Sequence, residues 1–212
     1  MSIILELQQQ AIDSNTDILS ILRKALLVSR KLELTDFEQW INNELNGYQN
    51  TEKIPDYRKI HGELKGWNPV NGWIPVLIED TDIEEMFCYK RTFDSIPSLY
   101  SLMESKEKQL VIPMQGSESA LISKYVGFST KYQLFISSNS VNNIIEQVKN
   151  KILDWSLILE ERGIKGEGLT FTQAEKATAK SDPNIEQYIS NFYGDISDSQ
   201  IQQGTKRSMQ KK

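Results

Sequence analysis

The chain has 212 residues, of which 39% are hydrophobic and 25% charged, with a formal net charge of −5. These proportions suit one globular core with a small appendage and exclude a disordered or fibrous chain. No apolar run approaches the roughly 20 residues of a membrane span, and the lone cysteine, Cys88, excludes an internal disulfide.

Other features of composition point to a compartment and to partners. The start, Met1-Ser2-Ile3-Ile4-Leu5-Glu6, lacks the basic opening and long apolar stretch of a signal peptide. With a single cysteine, this predicts a protein of the reducing cytoplasm with no membrane association. Residues 205–212 carry Lys206, Arg207, Lys211 and Lys212 without an acid, so the remainder is more acidic than the net charge states. That balance disfavours general binding of phosphate backbones, though a local basic groove is compatible with it.

In chain order, residues 3–12 predict a short apolar-rich helix, followed by the polar break Asp13-Ser14-Asn15-Thr16 with its capping residues. Ile18, Leu19, Leu22, Leu26 and Val28 keep helical spacing to about Leu32. Thr35-Asp36-Phe37-Glu38 has the form of a capping box. Phe37, Trp40, Ile41 and Leu45 then share the apolar face of a third helix, which Asn46-Gly47 ends, Gly47 suiting a left-handed cap.

The period changes after that. Arg58 to Lys65 alternates through Ile60, Gly62 and Leu64, and Trp73 to Ile78 is a short apolar run, so both predict strands. The turn chemistry of Gly66-Trp67-Asn68-Pro69-Val70-Asn71-Gly72 joins them as a hairpin. Thr81-Asp82-Ile83-Glu84 has capping-box form and opens a helical segment to about Tyr89. Further helices are predicted at 96–105 and 117–125, and strands at Gln109–Met114 and Tyr132–Ile136.

Residues 140–162 predict one long helix, with a stripe of Val141, Ile144, Ile145, Val148, Ile152, Trp155 and Leu159 and a stop at Arg162-Gly163. The polar segment 163–183 is expected to be a linker, with Leu169-Thr170-Phe171 a short strand within it. From Asn184 to Gln203 isoleucines spaced among amides and hydroxyls predict β structure. The expected fold class is α+β: an N-terminal three-helix unit packed on a small mixed or antiparallel sheet, one long helix at 140–162, and a C-terminal β-strand tail. The implied division is a domain at 1–162, a linker at 163–183 and a tail at 184–212.

Two clusters are candidate binding sites. Glu44, Tyr48, Tyr57 and Arg58 either rim a pocket at the helix–strand junction, where the arginine fork would grip a carboxylate or phosphate, or anchor helix to sheet together with Trp40. Trp67, Asn68 and Trp73 bracket the hairpin turn and serve either its architecture or a contact surface for a partner or a nucleobase. Ile185, Ile189, Ile196 and Ile201 form a spaced series too small for a core of its own, which predicts strand addition to another edge, either of another chain in a homo-oligomer or partner complex, or of the chain's own sheet.

Signals for catalysis are sparse. A Cys–His dyad would need both His61 and Cys88, and the acids beside Cys88 would raise its thiol pKa rather than activate it. One cysteine and one histidine cannot form a zinc site without carboxylates. The acidic run Glu79-Asp80-Thr81-Asp82-Ile83-Glu84-Glu85 could hold magnesium beside Arg58 or Lys59, yet acids also suit a helix N-terminus. There is no P-loop, Gly-rich dinucleotide turn or G-x-S-x-G elbow. No catalytic residue, metal or cofactor is assigned.

Leu22-Arg23-Lys24-Ala25, Trp40-Ile41-Asn42-Asn43-Glu44-Leu45-Asn46-Gly47-Tyr48, Ile54-Pro55-Asp56-Tyr57-Arg58 and the spacing Gly62, Asn68-Pro69, Gly72, Pro75 resemble the AbiTii domain family of bacterial abortive-infection systems. The resemblance runs over about 18–80 and extends to about 162. The ending Gly194-Asp195-Ile196-Ser197 with Gln200-Ile201-Gln202-Gln203-Gly204-Thr205 is similar to a stretch that recurs in bacterial defence proteins. The resemblance implies anti-phage defence and carries over no catalytic residue. It leaves two functional expectations: a module acting by self-assembly or by binding a defence-system protein, and a toxin enzyme, such as a metal-dependent nuclease, built on 79–85.

Overall fold

A computed structural model describes residues 2–49, 54–104 and 109–190. Three helices open the chain: α1 (Ile3–Ile12), α2 (Ile18–Leu32) and α3 (Thr35–Asn46). Ser2 caps α1 by accepting from the Leu5 amide, and Asp17 caps α2 by accepting from those of Leu19 and Ser20, so free main-chain donors find side-chain oxygens. The capping box expected at Thr35 does not form. Glu33 closes α2 in the left-handed conformation (φ 61°) and buried Leu34 stands at the N-cap of α3 without a side-chain bond. The connection consists of these residues alone, which makes Thr35 already helical.

A 3-10 turn, Asp56–Arg58, leads into β1 (Lys59–His61), β2 (Glu63–Asn68) and β3 (Gly72–Pro75). There follow α4 (Thr81–Cys88), β4 (Tyr89–Arg91), α5 (Ile96–Glu104), β5 (Gln109–Pro113), α6 (Gly116–Val126), β6 (Tyr132–Ser137) and α7 (Ser138–Glu161). The single strand expected from Arg58 to Lys65 is broken at Gly62, where a Cβ would lie 2.6 Å from Leu134 Cγ. Glycine permits this close approach, and the two pieces pair differently. β1 joins β4, while β2 lies within a sheet of order β3-β2-β6-β5; all strand pairs are antiparallel. α4 is capped by Asp80, which accepts from the amides of Asp82 and Ile83, in place of the expected box at Thr81.

Strand alternation assigns the two faces of the larger sheet. Leu64, Tyr132, Leu134 and Ile136 are buried, whereas Lys65, Trp67, Gln133 and Phe135 point the other way. The buried stripe of α7 is the one read from its spacing, Val141 through Leu159, and α7 packs on α1, α2 and α5. Trp155 stacks on Phe37 with ring centroids 3.8 Å apart, and Phe37 meets Trp40 at 5.1 Å. This aromatic column joins α3 to α7. The architecture is therefore α+β, with N-terminal helices and a long helix as expected. Among the described residues no helix is long and apolar enough to cross a membrane.

The C-terminal part differs from expectation. Segment 163–183 contains α8 (Gln173–Ser181), opened by a capping box between Thr172 and Glu175. Glu175 also accepts from the amides of Lys165 and Gly166, and Lys176 and Lys180 both bond to Glu33, so the segment is fastened along its length. The strand expected at Leu169-Thr170-Phe171 reduces to a single bridge between Glu167 and Thr170.

α9 (Pro183–Ser190) stands where β structure was expected. Proline suits a first helical position because no amide is left unsatisfied there, and Ile185 and Ile189 lie four apart, a helical rather than a strand spacing. Ile185 is fully buried in the chain's own core, and the Tyr188 hydroxyl donates to the Lys151 carbonyl at 3.0 Å. Ile185 is therefore not available to another chain's sheet, and Ile196 and Ile201 lie outside the described residues.

Replacing Trp40 by Ala is expected to lower the unfolding free energy by about 3–5 kcal/mol, the usual cost of deleting a large core aromatic. Chemical denaturation measures it. A variant as stable as the parent would show that the column does not hold α3 in place.

Candidate functional site

The last turn of α3 carries Glu44, with Trp40 one turn earlier. Gly47 follows with φ 90° and ψ 161°, a conformation that belongs almost entirely to glycine, and a Cβ there would lie 2.9 Å from the Phe93 carbonyl oxygen. This bend lets the Tyr48 amide donate to the same carbonyl at 2.9 Å and returns the Tyr48 ring to the helix end. On the opposing side Pro55 sets up the 3-10 turn, closed by the Arg58 amide donating to the Pro55 carbonyl at 3.0 Å. The turn presents Tyr57 and Arg58 to Glu44.

The four side chains converge on one carboxylate. Glu44 Oε1 accepts from the hydroxyls of Tyr48 and Tyr57, each at 2.5 Å, and Oε2 accepts from Arg58 Nη2. Arg58 Nη1 donates to the Asp94 carbonyl at 2.6 Å, and Trp40 Nε1 donates to the Tyr57 oxygen at 2.8 Å. The Arg58 guanidinium lies 5.0 Å from the Tyr48 ring centre, and the Lys151 ammonium 5.2 Å from that of Tyr57. Both Glu44 and Arg58 are 0% exposed, and Arg58 Nε has no hydrogen-bond partner among the described residues.

Burial, reinforced by the charge of Glu44, pushes the phenols of Tyr48 and Tyr57 well above the ordinary tyrosine value. For Arg58 burial opposes the charged form, but Glu44 outweighs it and holds the guanidinium above its usual value. Burial draws the Lys151 ammonium below its usual value, with Asp154 and Glu44 opposing. Sequence reasoning grouped Glu44, Tyr48, Tyr57 and Arg58 at a helix–strand junction, and there they meet, in the interior rather than around an opening. The fork of Arg58 is spent on a carboxylate and a main-chain carbonyl. The arrangement is a closed structural knot.

The second cluster faces outward. Trp67 and Trp73 are direct cross-strand partners, with rings 5.4 Å apart edge to face, and Trp73 lies 5.8 Å from Phe135 in the same manner. The Lys65 ammonium covers the Phe135 ring at 4.8 Å. Trp67 remains 41% exposed. Asn68 serves the turn, its Oδ1 accepting from the amides of Val70 and Asn71 at 2.9 and 3.0 Å. Phe135 was not singled out from sequence, although its outward position is legible in the alternation of Tyr132–Ile136.

The catalytic candidates lie around α4, with Glu84 near both His61 and Cys88. His61 pairs with Glu84 at 3.3 Å and meets the Tyr89 ring edge to face. Cys88 is buried, and burial raises its thiol pKa, with Glu84 adding to the shift, the reverse of an activated nucleophile. Within the acidic run Asp80 caps α4, Glu84 faces His61 and Glu85 bonds to Lys59. Among the described residues no group of three or more His, Cys, Asp or Glu side chains is placed to hold a metal ion.

A family model, AbiTii, matches residues 2–184, and the chain belongs to that family. No curated protein and no solved structure matches it. Membership points to abortive infection, a form of anti-phage defence. The matched region takes in α8 as well as the helices and sheets before it.

Removing one partner of a buried ion pair leaves the other charge stranded. Glu44→Ala is thus expected to cost about 3–5 kcal/mol in unfolding free energy, read by urea denaturation; a loss under about 1 kcal/mol would show that water reaches Arg58. A second expectation concerns alkali. Tyr48 and Tyr57 keep their protons in the fold beyond the ordinary value of 10.0, so unfolding releases them. Stability is complete below about pH 10 and falls as pH rises above it. The double variant Tyr48→Phe, Tyr57→Phe should be less stable at neutral pH and show a flatter alkaline decline. An equally steep decline would assign the loss to other groups.

Proposed function

We propose that this AbiTii chain is a cytoplasmic, non-catalytic module of abortive infection that acts by binding protein, with the outward aromatic face of its larger sheet as the working surface. The observation that carries this reading is a contrast. The residues with the most reactive chemistry, Glu44 and Arg58, are sealed and bonded to each other, whereas Trp67 lies in the open beside Trp73 and Phe135. Soluble proteins rarely leave neighbouring tryptophans partly in water without a use for them, and tryptophan is the side chain most enriched at the centres of binding interfaces. Assembly belongs to the sheet in this reading, since residues 184–190 are helical.

Expression in bacteria under phage challenge tests it. Trp67→Ala and Trp73→Ala should remove protection while circular dichroism stays unchanged, because truncating an anchoring tryptophan costs binding about 2 kcal/mol or more. His61→Ala and Cys88→Ser should protect like the parent. Protection that survives both tryptophan changes but is lost in folded His61→Ala or Glu85→Gln protein would favour the enzyme built on 79–85.

A further inference from the structure

β5 is an edge of the four-stranded sheet. The Met114 amide donates to the Tyr132 carbonyl at 3.0 Å, which fixes the phase of the β5–β6 ladder. Leu110 and Ile112 turn their main-chain groups toward β6, and Gln109, Val111 and Pro113 turn theirs away. Among the described residues nothing pairs with that side of β5, which therefore offers the N–H and C=O of Gln109 and Val111 and, proline having no N–H, only the C=O of Pro113. Edges are commonly blunted by charge, yet Gln109-Leu110-Val111-Ile112-Pro113 carries none. Val111 is 39% exposed on the outward face, directly opposite Phe135. α6, which follows, buries only Ile122 and leaves Leu121 and Tyr125 exposed one turn apart, with Phe128 exposed just beyond it.

We propose that β5 is the association edge of this chain and that its occupant is the β5 of a second copy, running antiparallel about a two-fold axis at Val111. The two sheets then become one. In this register each Val111 exchanges both main-chain bonds with its counterpart, and each Gln109 N–H meets the Pro113 C=O of the other copy, about four bonds in all. The donor that proline lacks falls at the rim of the pairing, opposite the Gln109 carbonyl, where water replaces it. The available donors and acceptors are thus complementary to themselves about one point, which is what an isologous contact requires. Antiparallel pairing about this axis keeps equivalent side chains on the same face, so the Trp67–Trp73 surfaces of both copies come to lie on one side. The inference rests on the reading of the chain as a binding module and names one of its partners.

Light scattering on the full chain between about 1 and 100 µM should give twice the monomer mass at the upper end. Val111→Lys and Val111→Glu each place like charges against each other at the axis, so each alone should dimerise at least about tenfold more weakly. An equimolar mixture should recover the dimer through Lys opposite Glu. A parent that stays monomeric, or a dimer mass untouched in both variants, overturns the proposal. So does a mixture of folded variants that fails to recover. Hydrogen exchange on the parent needs no variant: the Gln109 and Val111 amides should gain protection as concentration rises, and unchanged exchange there overturns the edge. Mass is read without phage, so a monomeric parent that still protects through Trp67 and Trp73 sinks the dimer alone. A dimer whose tryptophan variants still protect sinks the binding-face reading alone.

Discussion

The architecture depends on a charge that cannot reach water. Glu44 sits fully buried at the end of α3, and taking a carboxylate out of water costs several kcal/mol unless its lone pairs are filled. The chain fills them with two phenols and a guanidinium, all of which need Glu44 in turn. The network fixes where α3 stops, how the 3-10 turn enters β1, and where the loop at Asp94 docks. Arg58 ties that loop twice, through Nη1 to the Asp94 carbonyl and through its own carbonyl to the Thr92 amide. Such a knot specifies one arrangement more than it adds net stability.

This accounts for the crowding of large and special residues between 40 and 58. Trp40, Glu44, Gly47, Tyr48, Tyr57 and Arg58 all belong to the knot or to the bend that closes it. Changing any one leaves a buried polar group unsatisfied or a backbone conformation strained. Their crowding in a short stretch of sequence reflects an architectural constraint, and the aromatic face that the sheet presents to its surroundings is built from other residues.

The helical stripes were legible because periodicity survives burial: Phe37, Trp40 and Ile41 on α3, and Val141 to Leu159 on α7, lie inward as their spacing indicates. Whether Glu44 and Arg58 bordered a cleft or filled one another was not legible. The deciding partner, the Asp94 carbonyl, is a main-chain group with no residue signature, 36 positions from Arg58. The break at Gly62 was hidden because the period-two pattern runs through it, and β1 and β2 are told apart only by their different partners, β4 and β6. α8 and α9 are hidden in the sequence for another reason. Polar composition outweighed local cues that were present, the Thr172–Glu175 capping box and the four-residue spacing of Ile185 and Ile189.

The reach of the knot also sets an order of events. Its side chains all come from residues 40–58, and the loop enters through one group, the Asp94 carbonyl 36 positions from Arg58. Dehydrating Glu44 before Arg58 is in place would bury a bare charge, and a collapsed chain lacking that contact is therefore pushed back toward water rather than held. The helices that precede Glu44 close through local contacts, which form fast, whereas the knot requires loop closure across tens of residues. The network is complete only once the loop at Asp94 has docked on Arg58.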